Sequence, residues 1–316
     1  MKEKTLICIL LFTFVLTVSA ISQSASNDHI VASDDEIQFY TSRWEGERLP
    51  DGRPKVSDDL LERLKNIRVE DAWQYLYEMG YRNQFEGGWK KLHEDRPIVG
   101  RAFTTMYMPE RPDVKEQLVQ HGTEAGHVGP MNTWPIDMLQ EGDVYLADSY
   151  GKIAQGTLIG NNLGNSIFSR SGTGVIFNGS LRDVEDLEKI EGFNAFARDW
   201  HPSFLEETTL MGINVPIRIG DVTVVPGDVV LAKKNGVVFI PPHMVEPIVV
   251  TAEIVQLRDE FAQERMKAGI YTAGQVDTRW SEEMEEDFLN WLKENREEQL
   301  PVPIDRMQEY LQQRTW

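Results

Sequence analysis

GNNLGNSIFSRSGTGVIFNGSLRDVEDLEKI, residues 160–190, decides the fold class. Gly160 to Arg170 is amphipathic at helical spacing, Gly174-Val175-Ile176-Phe177 is a short apolar run expected to be a buried strand, and Asn178 to Asp183 has the composition of a turn. Val184 to Ile190 then predicts a short helix. Helix, strand, turn and helix in so short a stretch point to an α/β protein. The turn also sets Arg182 and Asp183 side by side just past a strand end. Arginine can fork two hydrogen bonds onto a carboxylate, and aspartate offers hard oxygen to a divalent cation. By composition alone the same pair is equally a plain ion pair at a helix start.

The pattern extends in both directions. Residues 57–80 show helical spacing after a Ser/Asp cap and stop at Gly80, enough for two helices. Strands are expected from Pro97 to Thr104 and around Val144 to Asp148. Beyond the central unit, Phe193 to Ala197, Ile217 to Ile219, Val222 to Val225, Val229 to Ala232 and Val237 to Ile240 are short β-rich runs, punctuated by Gly220, Pro226-Gly227-Asp228 and Asn235-Gly236. From about Val245 the chain turns helical and acidic, with Trp280, Trp291 and Trp316 and breaks at Pro301 and Pro303. Its Trp and Met residues at helical spacing predict a subunit or domain seam.

The amino terminus has its own logic. Lys2 and Lys4, an apolar run from Leu6 to Val18 and small residues at Val18-Ser19-Ala20 predict a cleavable export signal over 1–20, hence a periplasmic or secreted protein. The only cysteine, Cys8, falls inside that signal, so no disulfide is expected afterwards. No later stretch is apolar enough for a membrane anchor. Residues 21–56 are polar and aperiodic and are expected to be an extended lead-in. The boundaries are therefore signal 1–20, lead-in 21–56, main domain 57–250 and helical acidic C-terminal extension 251–316. The net charge of −19 becomes −20 once Lys2, Glu3 and Lys4 are removed, a surface that repels nucleic acid.

Taken in order, Val69-Glu70-Asp71-Ala72-Trp73, Ile98-Val99-Gly100-Arg101-Ala102, Gly160-Asn161-Asn162-Leu163, Gly174 to Asp183, Pro226-Gly227-Asp228-Val229-Val230 and Gly236 to Pro241 resemble the RraA-like family, which includes the 4-hydroxy-4-methyl-2-oxoglutarate aldolases. The resemblance runs from roughly residue 68 to 250. It implies a swivelling β/β/α domain, here with a helical C-terminal extension, that assembles as homotrimers or homohexamers. It also implies a divalent-metal-dependent retro-aldol cleavage of a 4-hydroxy-2-keto acid to pyruvate, with Mg²⁺ or Mn²⁺ as cofactor and oxaloacetate decarboxylation beside it.

Carried onto this chain, the resemblance gives Asp183 to the metal. Arg182 goes to the substrate carboxylate and to the charge that develops during cleavage, and the amides around Asn162 and Leu163 to the same carboxylate. Asn161 occupies the position at which the aldolases carry a second metal-supporting aspartate. That neutral residue predicts weaker metal binding, or a carboxylate supplied from elsewhere, with Asp148 the candidate. Lys233-Lys234 stand where the family commonly has aspartate; a surface hairpin is the simpler reading of them. His201, in Trp200-His201-Pro202, is the candidate for proton transfer. His121 and His127 are spaced as a loop rather than a helical metal motif. Lys152, Lys233 and Lys234 leave a Schiff-base route formally open. Members of this family have also been labelled menaquinone methyltransferases, yet no glycine-rich nucleotide loop follows a strand here.

Three functions are open at this point. The first is the metal-dependent lyase; the second is a non-catalytic binding or regulatory protein on the same fold, which Asn161 favours. The third is a lyase or hydrolase acting on sugar-derived acids outside the cytoplasm. Specificity is expected in the segments Tyr107 to Ile136 and Arg198 to Asn214.

Overall fold

The computed structural model describes residues 28–296, 300–304, 306, 307 and 310. The expected export signal and Trp316 lie outside the described residues. The helices are α1 (Asp34–Tyr40), α2 (Asp58–Leu64), α3 (Val69–Glu78), α4 (Pro112–Glu124), α5 (Trp134–Asp137), α6 (Asn161–Ser171), α7 (Val184–Leu187), α8 (Val245–Lys267), α9 (Ala273–Val276) and α10 (Glu282–Asn295). The strands are β1 (Phe85–Glu86), β2 (Lys90–Lys91), β3 (Ile98–Pro109), β4 (Asp143–Asp148), β5 (Val175–Leu181), β6 (Ala195–Trp200), β7 (Thr208–Ile213), β8 (Ile217–Ile219), β9 (Val222–Val224), β10 (Val229–Lys233) and β11 (Gly236–Ile240).

Nine strands form one mixed sheet in the order β1-β11-β10-β3-β4-β5-β6-β2, with β7 pairing with β3 off that path. β3, β4, β5 and β6 run parallel, and β10, β11 and β7 join antiparallel. Side chains alternate across a strand, so each buried run feeds two cores. Tyr145, Phe177 and Ala195 face one side with Ile167 of α6 and Leu187 of α7. Leu146, Ile176 and Phe196 face the other, where the β8–β9 hairpin covers them with Ile217, Ile219, Val222 and Val224. This is the expected β/β/α layering. Parallel strands buried on both faces read as continuous apolar runs, as 144–147 and 175–177 do.

The structure extends the expected central strand. Asn178 to Leu181 was predicted to turn, but β5 continues to Leu181 with every residue buried and a register shift between Phe177 and Ser180. Burial between two neighbours outweighs the turn composition of Asn178-Gly179-Ser180. The lead-in is not wholly extended, because Ser33 and Glu36 close a capping box on α1. It also wraps the body: Val31 bridges Ile213, and Arg53 is fully buried against Asp143. The segment 107–136 contains α4, with Pro112 in its first turn.

α8 serves two cores. Its first half packs on the sheet with α2 and α3, and its second half carries Phe261 into a cluster with Trp280, Phe288 and Trp291. Arg258 lies 3.6 Å from the centre of the Trp280 ring. Trp280 and Trp291 thus pack into a core between helices of one chain, where a subunit or domain seam was expected. Among the described residues no helix is long and apolar enough to cross a membrane.

Candidate functional site

The carboxyl ends of parallel strands are where open α/β sheets bind ligands, and the end of β5 is where the sequence motifs converge. Residues 157–159 run alongside it: Thr157 bridges Ser180 in parallel, Leu158 N–H donates to Ser180 O (3.1 Å), and Arg182 N–H donates to Ile159 O (3.1 Å). This stitching delivers Gly160 and the start of α6 to Arg182 and Asp183. On the other side of β5, Leu181 pairs with Trp200 and its carbonyl accepts the His201 N–H at 3.0 Å.

Asp183 takes a left-handed backbone (φ 59°) and begins α7. Its Oδ2 accepts the Asn161 N–H at 3.1 Å and lies 3.7 Å from Arg182 Nε. A methyl group at Gly160 would meet that same Oδ2, so glycine lets the start of α6 approach the carboxylate without displacing it. At its far end α6 stops on Gly172 in the left-handed conformation (φ 67°). The first turn of a helix leaves N–H groups without intrahelical acceptors; the N-cap Gly160 has no side chain to take them, and Asp183 takes only that of Asn161. The Asn162 and Leu163 amides are such groups. Arg182 makes no other described contact through its guanidinium, whose side chain is 39% exposed against 42% for Asp183. A cationic fork, open helix amides and one carboxylate therefore lie together at the end of β5, which suits a carboxylate-bearing ligand.

Arg182, Asp183, Asn161, Asn162 and Leu163 are thus brought together. His201 is brought near only through its backbone. Its Nδ1 faces Ser203 Oγ at 2.9 Å and accepts the Ser203 N–H at 3.2 Å, and no described hydrogen bond joins its ring to Arg182 or Asp183. Asp148 is committed elsewhere: Oδ1 accepts Asn178 Nδ2 (2.8 Å) and the Tyr150 N–H (3.0 Å). Arg198 continues that row, donating to Asn178 Oδ1 and to Glu86 while stacking on Trp89.

The lysines are placed away from the pair. Lys152 donates to Glu206 O at 3.0 Å and lines a recess of about 540 Å³ with Tyr150, Glu110 and Glu207. Lys233 sits at the end of the β10–β11 hairpin, donating to Ile67 O at 2.6 Å, and burial pushes its ammonium below the usual lysine range. His121 is on α4 rather than in a loop, whereas His127 follows the helix and meets Asp28 at 2.7 Å.

For a metal, Asp183 would supply one carboxylate; Asn161, the other expected donor, has its Oδ1 accepting from Asn165 Nδ2 at 2.8 Å. Among the described residues no three His, Cys, Asp or Glu side chains form a ready cage. This donor set fits a cation of the Mg²⁺ type, which keeps several waters, better than one needing a complete protein shell. Asn165 was not singled out from sequence, although it holds the Asn161 side chain; its position one helical turn along α6 was the available signal.

The sequence profile described as RraA-like, Aldolase/RraA, matches residues 54–239. The chain belongs to the RraA-like family. Among relatives, an uncharacterized protein of Methanocaldococcus jannaschii is 32% identical over 96 residues, 30% of this chain and 46% of that protein. A protein of Ectopseudomonas mendocina, provisionally named 4-hydroxy-4-methyl-2-oxoglutarate aldolase, is 28% identical over 35% of this chain and 68% of its own length. The chain thus spans less than half of the first and about two thirds of the second. Among solved structures, Streptomyces coelicolor RraAS2, described as an unusual member of the RNase ES inhibitor RraA family, is 25% identical with a TM-score of 0.57, covering 67% of this chain and all of that one. An uncharacterized Pseudomonas syringae protein shares the RraA-like fold at 19% identity and a TM-score of 0.57, over 71% of this chain and 98% of its own.

Proposed function

We propose that this RraA-like chain is a lyase that cleaves a small 4-hydroxy-2-keto acid to pyruvate with Mg²⁺ or Mn²⁺, and decarboxylates oxaloacetate beside it. The observation that carries the reading is the meeting of Arg182, Asp183 and the open amides of α6 at the end of β5. Arg182 pairs with the substrate carboxylate through its free fork, and the Asn162 and Leu163 N–H groups take the remaining oxygen. Those donors are preorganised by backbone, so negative charge developing during cleavage meets dipoles already in place. A hard divalent cation held by Asp183, with Asn161 beside it, supplies Lewis acidity toward that charge when bound. His201, whose backbone flanks the end of β5 and whose Nδ1 accepts the Ser203 N–H, is assigned proton transfer.

The test is pyruvate release from a panel of 4-hydroxy-2-keto acids, sugar-derived acids and oxaloacetate, with Mg²⁺, Mn²⁺ or chelator. Turnover should require the metal. Arg182→Ala and Asp183→Ala should each lose on the order of 10²–10³ in kcat/KM, as removal of a charge-stabilising group does. One observation favours a second reading, a non-catalytic binding protein: Asn161 replaces the carboxylate that the aldolase resemblance leads one to expect. A folded oligomer that turns over none of the panel would overturn the lyase reading and leave a binding protein or an enzyme for another substrate.

Export to the periplasm or medium and assembly as a homotrimer or homohexamer belong to the same proposal. Amino-terminal sequencing of the mature protein should read from near Ile21, and light scattering should give three or six protomers.

A further inference from the structure

Asn161 is not a free ligand in waiting. Its Oδ1 accepts Asn165 Nδ2 at 2.8 Å, the same nitrogen reaches the Asn161 carbonyl at 3.0 Å, and its own N–H donates to Asp183 Oδ2 at 3.1 Å. The first and the last of these work against a cation. The first occupies a lone pair of the amide, and the last, with Arg182 Nε at 3.7 Å, draws on the one carboxylate that the described residues bring to the site. Affinity for hard divalent cations follows the number and charge of oxygen ligands, and here the described residues offer one shared carboxylate. The anion-binding half, by contrast, is complete in the free protein: the Arg182 fork and the Asn162 and Leu163 amides are open.

Taking the lyase reading as its premise, we propose that the Asn161–Asn165 pair sets the order of assembly. The keto acid binds first, through Arg182 and the α6 amides, and the divalent cation is held in its company. The acid's own carboxylate and carbonyl oxygens supply the donors that the chain lacks. Binding linkage is reciprocal, so the cation tightens the acid by the same factor as the acid tightens the cation.

Mn²⁺ and oxalate, a planar molecule with two adjacent oxygen pairs, are the probes. The free Mn²⁺ signal in electron paramagnetic resonance, corrected for Mn²⁺–oxalate in buffer, and calorimetry of oxalate report binding without turnover. Saturating oxalate should raise the affinity for Mn²⁺ on the order of tenfold to a hundredfold, the usual span of coupled sites. Oxalate should bind the metal-free chain and lose that binding in Arg182→Ala. Asn161→Asp has the same shape and can still accept from Asn165. It should tighten Mn²⁺ without oxalate on the order of tenfold and shrink the coupling, with its melting temperature confirming the fold. Equal Mn²⁺ affinity with and without oxalate, or an unchanged Asn161→Asp, would overturn the ordering while leaving a keto-acid site. Oxalate bound neither with nor without Mn²⁺ would overturn the lyase reading along with it.

Discussion

Arg53 and Asp143 lie ninety residues apart in sequence and meet without solvent on either side chain, through hydrogen bonds of 2.8 and 2.9 Å. Arg182 and Asp183 are chain neighbours, partly exposed, and approach only to 3.7 Å. Four of the five N–H groups of the buried guanidinium are engaged: besides those on Asp143, Asp51 takes Nε at 2.7 Å and Ala102 O lies 3.3 Å from Nη1, and the group sits over the Phe103 ring. The exposed one has most of its N–H groups to spare. The same two residue types thus close the structure in one place and leave it open to a ligand in the other, and what separates the two is burial together with the number of partners.

That contrast is broken most directly at its strong end. Arg53→Ala would leave Asp143 as an uncompensated buried charge and should cost about 3–5 kcal/mol, read as a shift of the urea midpoint. Replacing both members by apolar residues should cost less than the single change, because no charge is then stranded. A loss below about 1 kcal/mol for Arg53→Ala would mean that water reaches Asp143 and that the lead-in is not fastened there. Arg53 lies one residue before the stretch that matches the family, 54–239. The lead-in therefore adds a core contact of its own.

Asp228 sharpens the comparison as a buried carboxyl with no cation. Its Oδ2 accepts the Val225 N–H at 2.9 Å, its Oδ1 has no partner, and burial pushes its pKa up to about 7. A carboxyl raised in the folded state contributes stability that is fully present below its unfolded pKa, about 3.9, and is lost as pH rises through about 7. Stability should therefore fall between pH 4 and 8, by on the order of 2–4 kcal/mol from this group. Asp228→Asn should flatten that decline in urea titrations across the range. An equally steep decline in the variant would place its cause in other groups.

Much of the fold was legible because its signals are local. The apolar runs of β4, β5 and β11 and the helical spacing of α2, α3 and α6 are written in adjacent residues, and so is the Arg182-Asp183 pair. α4 was read only as part of a variable loop, since PDVKEQLVQHGTE has one buried residue, Gly122, and little apolar stripe. α1 did carry a legible signal, Ser33 followed three residues later by Glu36, but it is only two turns long. The Arg53–Asp143 contact has no local signature at all. Neither does the stitching of 157–159 onto the end of β5, which creates the site by bringing two motifs together across about twenty residues.

The smallest expected effect tests the weak end of the comparison. An exposed ion pair contributes about 0–1 kcal/mol, since solvent screens it and side-chain entropy opposes it. Arg182→Ala should accordingly leave the urea midpoint within the change of an ordinary surface substitution, about 0.5 kcal/mol, while abolishing oxalate binding. Asp183 would keep its Asn161 N–H in that variant, so no buried group is stranded. If Arg182→Ala instead destabilised the chain by about as much as Arg53→Ala, the guanidinium would be holding the end of β5 in place. Loss of ligand binding in that variant would then report a collapsed strand end rather than a missing recognition group.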